Sequence, residues 1–291
     1  MIGTSLALGI LTGNPATEAD KALLDAAGGP KALLERFRAL GVGAIELRSV
    51  RPDTPRQITQ ACAALVLEAG LALTIHATLT DTDARSFYAA LDPALKLLPK
   101  DHIRVPLTVH PLRTGSEPLD QSGTVRLLRL FADEAERRGL NVALALENCR
   151  IHRSGLSIMD CQGVTTTALE AGRKNVGVCF DFGHLYSNFL TFPECTPFLP
   201  PEPFLRAAVH THIHGVTGTT HCPLTDESLP LEDYLRHLIG ASYGGIYNLE
   251  LECGRFWRDM PPLEGFETSL DRLTRCLEAL GVSADAEPTA P

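Results

Sequence analysis

Short apolar runs and longer amphipathic runs alternate along the chain until about residue 280. The apolar runs, rich in Val, Ile and Leu, fall at 3–10, 43–48, 71–77, 103–110, 141–147, 176–182, 207–214 and 246–251. Most are apolar on both faces, the pattern of parallel strands covered on each side. The segments between them have helical spacing. Over 119–139, Val125, Leu128, Phe131, Ala132 and Ala135 form one stripe, while Arg126, Arg129, Asp133, Glu136 and Arg137 lie away from it; such a helix lays one face on a sheet. Gly41, Gly70, Gly139 and Gly240 each stand where a helix should stop before the next strand.

Eight strand–helix units over roughly 250 residues predict an α/β fold of one domain, the closed (β/α)8 or TIM barrel. The barrel is expected to span 1–280, and the small, polar, Pro-ended stretch 281–291 to be a disordered tail. An open doubly wound sheet is the structural alternative. It would be favoured by a Gly-x-Gly-x-x-Gly loop after the first strand, and the sequence has none, so no nucleotide cofactor is expected. Two segments stand outside the repeat. Residues 11–29 follow the first strand, with Asn14-Pro15 as a turn signal and a short helix expected at 17–27. Residues 185–206, with five prolines, read as a long loop after the sixth strand. Both leave strand carboxyl ends and so are expected to roof the barrel mouth.

Composition narrows the class. No apolar run approaches the roughly 20 residues needed to span a bilayer, and Met1-Ile2-Gly3-Thr4 lacks the basic start of a secretory signal. The eight cysteines are scattered with no Cys-x-x-Cys pair, as expected of reduced, mostly buried thiols in a cytoplasmic protein. A net charge of −9 gives no general attraction for nucleic acid or an anionic membrane.

The chemistry lies in how the runs end. The third closes on Leu73-Thr-Ile-His76 and the fourth on Leu107-Thr-Val-His110. The fifth closes on Leu146-Glu147 with Asn148 after it, and the sixth on Cys179-Phe-Asp181-Phe-Gly-His184. The seventh reads His210-Thr-His212-Ile-His214, and the eighth Asn248-Leu-Glu250-Leu-Glu252. Any one of these alone is as readily a solvated loop residue. Together, a parallel barrel would bring six such ends into one ring. Carboxylates gathered there without a cation would repel one another and lose their hydration. Mixed Glu, Asp and His donors suit a divalent transition metal without singling one out. His152 and His237 have no such context and are expected on the surface. Glu46 and Arg48, ending the second strand, are candidates for substrate contact, with a plain salt bridge as the competing reading.

From the second strand to the eighth, the chain resembles the xylose isomerase-like barrels, which include sugar isomerases, ketose 3-epimerases, inosose dehydratase and endonuclease IV. The resemblance rests on Leu146-Glu147-Asn148, Phe180-Asp181-Phe-Gly-His184, Thr211-His212-Ile-His214-Gly215-Val216 with His221 beyond, and Gly245-Ile-Tyr-Asn-Leu-Glu250, in that order. It implies that Glu147, Asp181, His212 and Glu250 bind one divalent ion, Mn2+ first, with Zn2+, Co2+ or Mg2+ as alternatives. His210 and His214 compete with His212, and Glu252 with Glu250, because each pair shares a strand face. The implied activity is isomerisation or epimerisation of a sugar or polyol through an enediolate. Glu147 and Glu250 would be the acid–base pair, His184 would polarise a substrate oxygen, and His76, His110 and His221 would line the pocket. The partner is then a small molecule, and barrels of this kind often form homo-oligomers.

Two departures bear on the substrate. The 3-epimerases carry an arginine a few residues after the strand-seven ligand, whereas here the stretch is Gly215-Val-Thr-Gly-Thr-Thr. The endonuclease IV pattern matches at His76, His110 and His221 but needs an aspartate where Thr219 stands. The alternatives are therefore an endonuclease IV-like zinc phosphodiesterase acting on damaged DNA and a sugar-ketone dehydratase. A catalytically silent barrel is a third class, disfavoured because all four presumed ligands are present.

Overall fold

The computed structural model describes residues 1–79, 83–100, 102–112, 120–151 and 159–283. The chain opens with β1 (Ile2–Ala7), the short α1 (Leu8–Leu11), α2 (Glu18–Ala27) and α3 (Pro30–Ala39). Next come β2 (Val42–Val50), α4 (Arg56–Glu68), β3 (Ala72–Ala77), α5 (Ala84–Leu95), β4 (Val105–Val109), α6 (Gln121–Arg137) and β5 (Val142–Glu147). Then follow α7 (Cys161–Ala171), β6 (Val176–Asp181), α8 (Phe182–Thr191), α9 (Glu202–Arg206) and β7 (Ala208–His212). The last elements are α10 (Leu231–Gly240), β8 (Tyr247–Leu249), α11 (Cys253–Phe256) and α12 (Pro262–Ala279).

All eight strands are parallel, in the order β7-β6-β5-β4-β3-β2-β1-β8. The ring closes just beyond β7, where Ile213 bridges Leu249. There the Ile213 N–H donates to the Asn248 carbonyl at 2.8 Å, and the Glu250 N–H to the Ile213 carbonyl at 3.0 Å. The predicted single-domain (β/α)8 barrel is the observed fold.

Helix starts follow their caps. Thr17, Asp120 and Asp160 each accept the N–H three residues on, at the heads of α2, α6 and α7. In α6 the predicted stripe of Val125, Leu128, Phe131, Ala132 and Ala135 is buried. Gly41, Gly70 and Gly139 take positive φ angles of 85°, 73° and 67° beyond α3, α4 and α6, where an L side chain would be strained.

Four details differ from the sequence reading. Residues 8–10 leave the first strand as α1. The stretch 185–206 holds most of α8 and all of α9, so only the residues between these helices are loop; α8 begins directly after β6 with no punctuating turn. Gly240 is the last residue of α10, and the left-handed position falls on Ser242 (φ 67°). The strands are also not apolar on both faces. Ile45, Leu47, Leu73, Ile75, Leu107, Leu144, Leu146 and Phe180 join the core under the helices. The alternate positions, among them Ser5, Glu46, Thr74, Thr108, Cys179, His210 and Asn248, are buried on the other face. The barrel interior is thus a polar layer beneath the mouth.

Six of the eight cysteines are buried, and Cys195 is exposed. His237 is exposed, whereas His152 and the tail residues 284–291 lie outside the described residues. No helix among the described residues is long and apolar enough to cross a membrane.

Candidate metal centre

Glu147 is the last residue of β5, Asp181 the last of β6 and His212 the last of β7, while Glu250 follows β8 directly. A parallel barrel places consecutive strand ends side by side, and Asp181 pairs with His212 in the β6–β7 register. One donor atom from each of Glu147, Asp181, His212 and Glu250 lies within 4.8 Å of the others, and all four side chains are buried. His212 Nδ1 stands 3.1 Å from Glu250 Oε2 and 3.4 Å from Glu147 Oε1.

Of the competing residues, His210 and Glu252 stand outside this group, while His214 flanks it at Asp181. The His210 ring is deeper, with Nε2 3.1 Å from Glu46 Oε2. The His214 ring sits beside Asp181, its Nε2 3.1 Å from Oδ1. Glu252 turns to Arg255, whose Nε donates to its Oε2 at 2.7 Å.

Asp181 is held from several sides. It caps α8, its Oδ1 accepting the His184 N–H at 2.6 Å. Asn148 clamps its backbone, Nδ2 donating to the Asp181 carbonyl at 2.9 Å and Oδ1 accepting the Asp181 N–H at 2.8 Å. His184 Nδ1 lies 3.3 Å from Asp181 Oδ2 and 3.4 Å from Glu147 Oε1. Gly183 allows His214 to approach α8, because a Cβ there would stand 2.0 Å from the His214 ring.

The other proposed pocket residues ring this group. His76 Nδ1 is 3.2 Å from Glu250 Oε1, and its Nε2 is 3.0 Å from His110 Nε2. His110 Nε2 lies 2.9 Å from Glu147 Oε2, and its side chain is 48% exposed, the most open of the histidines at this mouth. His221 Nε2 lies 3.5 Å from Glu250 Oε2. The His221 backbone holds φ 63°, a left-handed conformation uncommon outside glycine though histidine enters it more readily than most, and its N–H donates to His214 Nδ1 at 2.9 Å. Arg48 is drawn aside, Nη1 donating to the Leu251 carbonyl at 2.9 Å. Glu46 sits below the group, its Oε2 3.1 Å from the Nε2 of both His210 and His212.

Burial works against the Glu147 and Glu250 carboxylates, yet the imidazoles outweigh it. The Glu147 carboxyl is held well below the usual range by His110 and His212, and that of Glu250 chiefly by His212. His184, disfavoured as a cation by burial, is pushed up to about 9 by Asp181 and Glu147.

The residues fit a divalent cation on a further count. Both Glu147 oxygens, His212 Nδ1 and Glu250 Oε2 are buried and make no hydrogen bond among the described residues. Buried polar atoms left in that state cost about 1–3 kcal/mol each, and here they cluster at one place. Three carboxylates and one imidazole form a donor set suited to Mn2+, Zn2+, Co2+ or Mg2+. Sequence reasoning missed Ser5, Asn248 and the clamp by Asn148. Their signal was alternation: Asn248 lies two residues before Glu250, on the same strand face.

A profile of the family described as "Xylose isomerase-like TIM barrel" matches residues 34–276. The chain is 26% identical over 161 residues to the uncharacterized protein MJ1188 of Methanocaldococcus jannaschii. That match covers 51% of this chain and 53% of the other, so it spans about half the length of its curated relative. The fold is similar to that of D-psicose 3-epimerase from Clostridium cellulolyticum H10, solved with D-tagatose (TM-score 0.61, 12% identity, 94% of this chain and 99% of that one). It is similar also to L-ribulose 3-epimerase (0.60, 15%, 96% and 94%) and to 3-keto-D-glucoside 4-epimerase from E. coli (0.58, 14%, 95% and 100%). At these identities the likeness carries the fold alone.

Proposed function

The chain belongs to the xylose isomerase-like TIM barrel family, and from that premise we propose that it is a divalent-metal-dependent isomerase or epimerase of a sugar or related polyol. The observation that carries this reading is the buried pair Glu147 and Glu250, at the ends of separate strands, each with an oxygen lacking a hydrogen bond at the same group. Glu147, Asp181, His212 and Glu250 would hold the ion. When bound, it would polarise adjacent carbonyl and hydroxyl oxygens of a sugar and acidify the neighbouring C–H.

The chain's own residues would do the rest. One glutamate takes the proton from carbon and the other returns one through an enediolate, which is general acid–base catalysis. His184 hydrogen-bonds a substrate oxygen. His76, His110 and His221 line the path to solvent, with His110 the most open, while Glu46 lies buried beneath the group against His212 and Arg48 is turned to the Leu251 carbonyl. The names of the similar structures, 3-epimerases of ketoses and a 4-epimerase of a keto-glucoside, support a substrate with a carbonyl beside a hydroxyl-bearing carbon.

Incubation with a panel of ketoses in D2O is expected to place deuterium on the carbon next to the carbonyl. Loss of water from the product would instead mark a dehydratase using the same groups. A specific observation favours a second reading: His76, His110 and Glu147 form one flanking donor group, and Asp181, His184, His214 and His221 another. A multi-metal phosphodiesterase would use all three groups, although Thr219 replaces the acid its pattern needs. Absence of exchange with every ketose, together with cleavage of an abasic-site duplex, would put that reading first.

A further inference from the structure

Beyond Glu147 and Cys179 the backbone ladder between β5 and β6 stops, its last bond running from the Asn148 N–H to the Cys179 carbonyl at 3.4 Å. The Asn148 side chain takes up the pairing there. Its Oδ1 accepts the Asp181 N–H at 2.8 Å, and its Nδ2 donates to the Asp181 carbonyl at 2.9 Å. A second asparagine returns the link. Asn188, on α8 one turn beyond His184, accepts the Ile151 N–H at 3.0 Å through Oδ1 and donates to the Cys149 carbonyl at 3.0 Å through Nδ2. Both side chains are buried, so water does not compete for these bonds. A backbone N–H only donates and a carbonyl only accepts, so each amide has one orientation in which both bonds form.

The two clamps run in opposite directions. Asn148, leaving β5, grips the end of β6, while Asn188, on the helix after β6, grips the chain that leaves β5. Between them Asp181 caps α8 through the His184 N–H at 2.6 Å. The helix and the two strand ends are thereby joined into one frame, and it carries both Glu147 and Asp181. We propose that Asn148 and Asn188 are positioning residues: their reciprocal clamps fix the spacing of Glu147 and Asp181, and so set how tightly the donor group holds a divalent cation. Buried amides with their bonds satisfied stiffen the segments they join, and groups behind metal ligands commonly act in this way. The inference rests on the metal-dependent reading for its purpose, whereas the clamps themselves do not.

Asn188→Ala is the informative variant, because it removes the bonds to Cys149 and Ile151 and leaves the charge of the site unchanged. In a chelator competition it should bind Mn2+ about 10–100-fold more weakly than the wild type, and Asn148→Ala should do the same. Leu270→Ala is the control. It empties a buried position of α12, which packs on α2 and α10, so it should lower the thermal midpoint but keep the wild-type affinity. The visible spectrum of the Co2+-loaded protein, which reports ligand geometry, should change in Asn188→Ala and not in Leu270→Ala. On the metal-free chain, amide hydrogen exchange should find the Asp181 and Ile151 N–H groups protected in the wild type. Both should exchange faster in Asn188→Ala, since each clamp steadies the other.

Unchanged Mn2+ affinity and Co2+ spectrum in a folded Asn188→Ala would overturn the proposal. So would an equal loss of affinity in Leu270→Ala, because general loosening of the fold would then account for the effect. Should Asn188→Ala fail to fold, Asn188→Ser takes its place with the same expectations. A wild type that binds no metal sinks the functional reading instead. Exchange at the Asp181 amide then decides the clamps, and a rate unmoved by loss of Asn188 would overturn them.

Discussion

Glu147→Gln is expected to lower turnover by about two to four orders of magnitude, the range for loss of a positioned acid–base group. The amide matches the carboxylate in shape but cannot take a proton from carbon, and it removes one negative donor from the cation group. Glu147 ends β5 in a fully buried position, where its neighbours His110, His184 and His212 stand within 3.4 Å of its oxygens. The loss should fall on kcat rather than on KM, since the interaction is used in the transition state. The check is the rate of solvent-deuterium exchange into a ketose, measured beside the thermal midpoint to confirm that the variant folds. A rate equal to the wild type's would remove Glu147 from the mechanism.

Stripping the protein with a chelator should abolish activity reversibly and soften the fold. In the stripped state both Glu147 oxygens, Glu250 Oε2 and His212 Nδ1 make no hydrogen bond among the described residues, and the neighbouring imidazoles alone offset the burial of the two carboxylates. A ligand that binds only the native state, at a hundredfold excess over its Kd, contributes about 2.7 kcal/mol. For a chain of this size that corresponds to a rise in Tm of roughly 5 °C. Differential scanning calorimetry with and without added Mn2+ reads the shift, and readdition of the ion should restore exchange. A midpoint and an activity indifferent to chelation would contradict the role given to the cluster.

The barrel was legible from the alternation of eight strand-like and helix-like runs, and the site from the way the strands end. Each apolar run from the third to the eighth closes on an acid or a histidine, and in a parallel barrel such ends share one mouth. Asp181 shows why some detail was hidden. It is at once the end of β6, the cap of α8 and a member of the donor group, so no turn residue separates strand from helix, and the Pro-rich stretch from residue 185 reads as loop. Glu46 shows the other limit. In sequence it is an alternating acid next to Arg48, whereas in space it lies against His212, 166 positions away. Only closure of the ring brings β2 across from β7 inside the barrel. Tertiary geometry of that kind leaves no local pattern.

The most direct measurement is the metal content of the purified chain, with Asp181→Ala beside it. If Glu147, Asp181, His212 and Glu250 hold one catalytic cation, elemental analysis should find about one divalent ion per wild-type chain and almost none in the variant. A wild type that retains no ion, or an ion count indifferent to Asp181, would contradict the account.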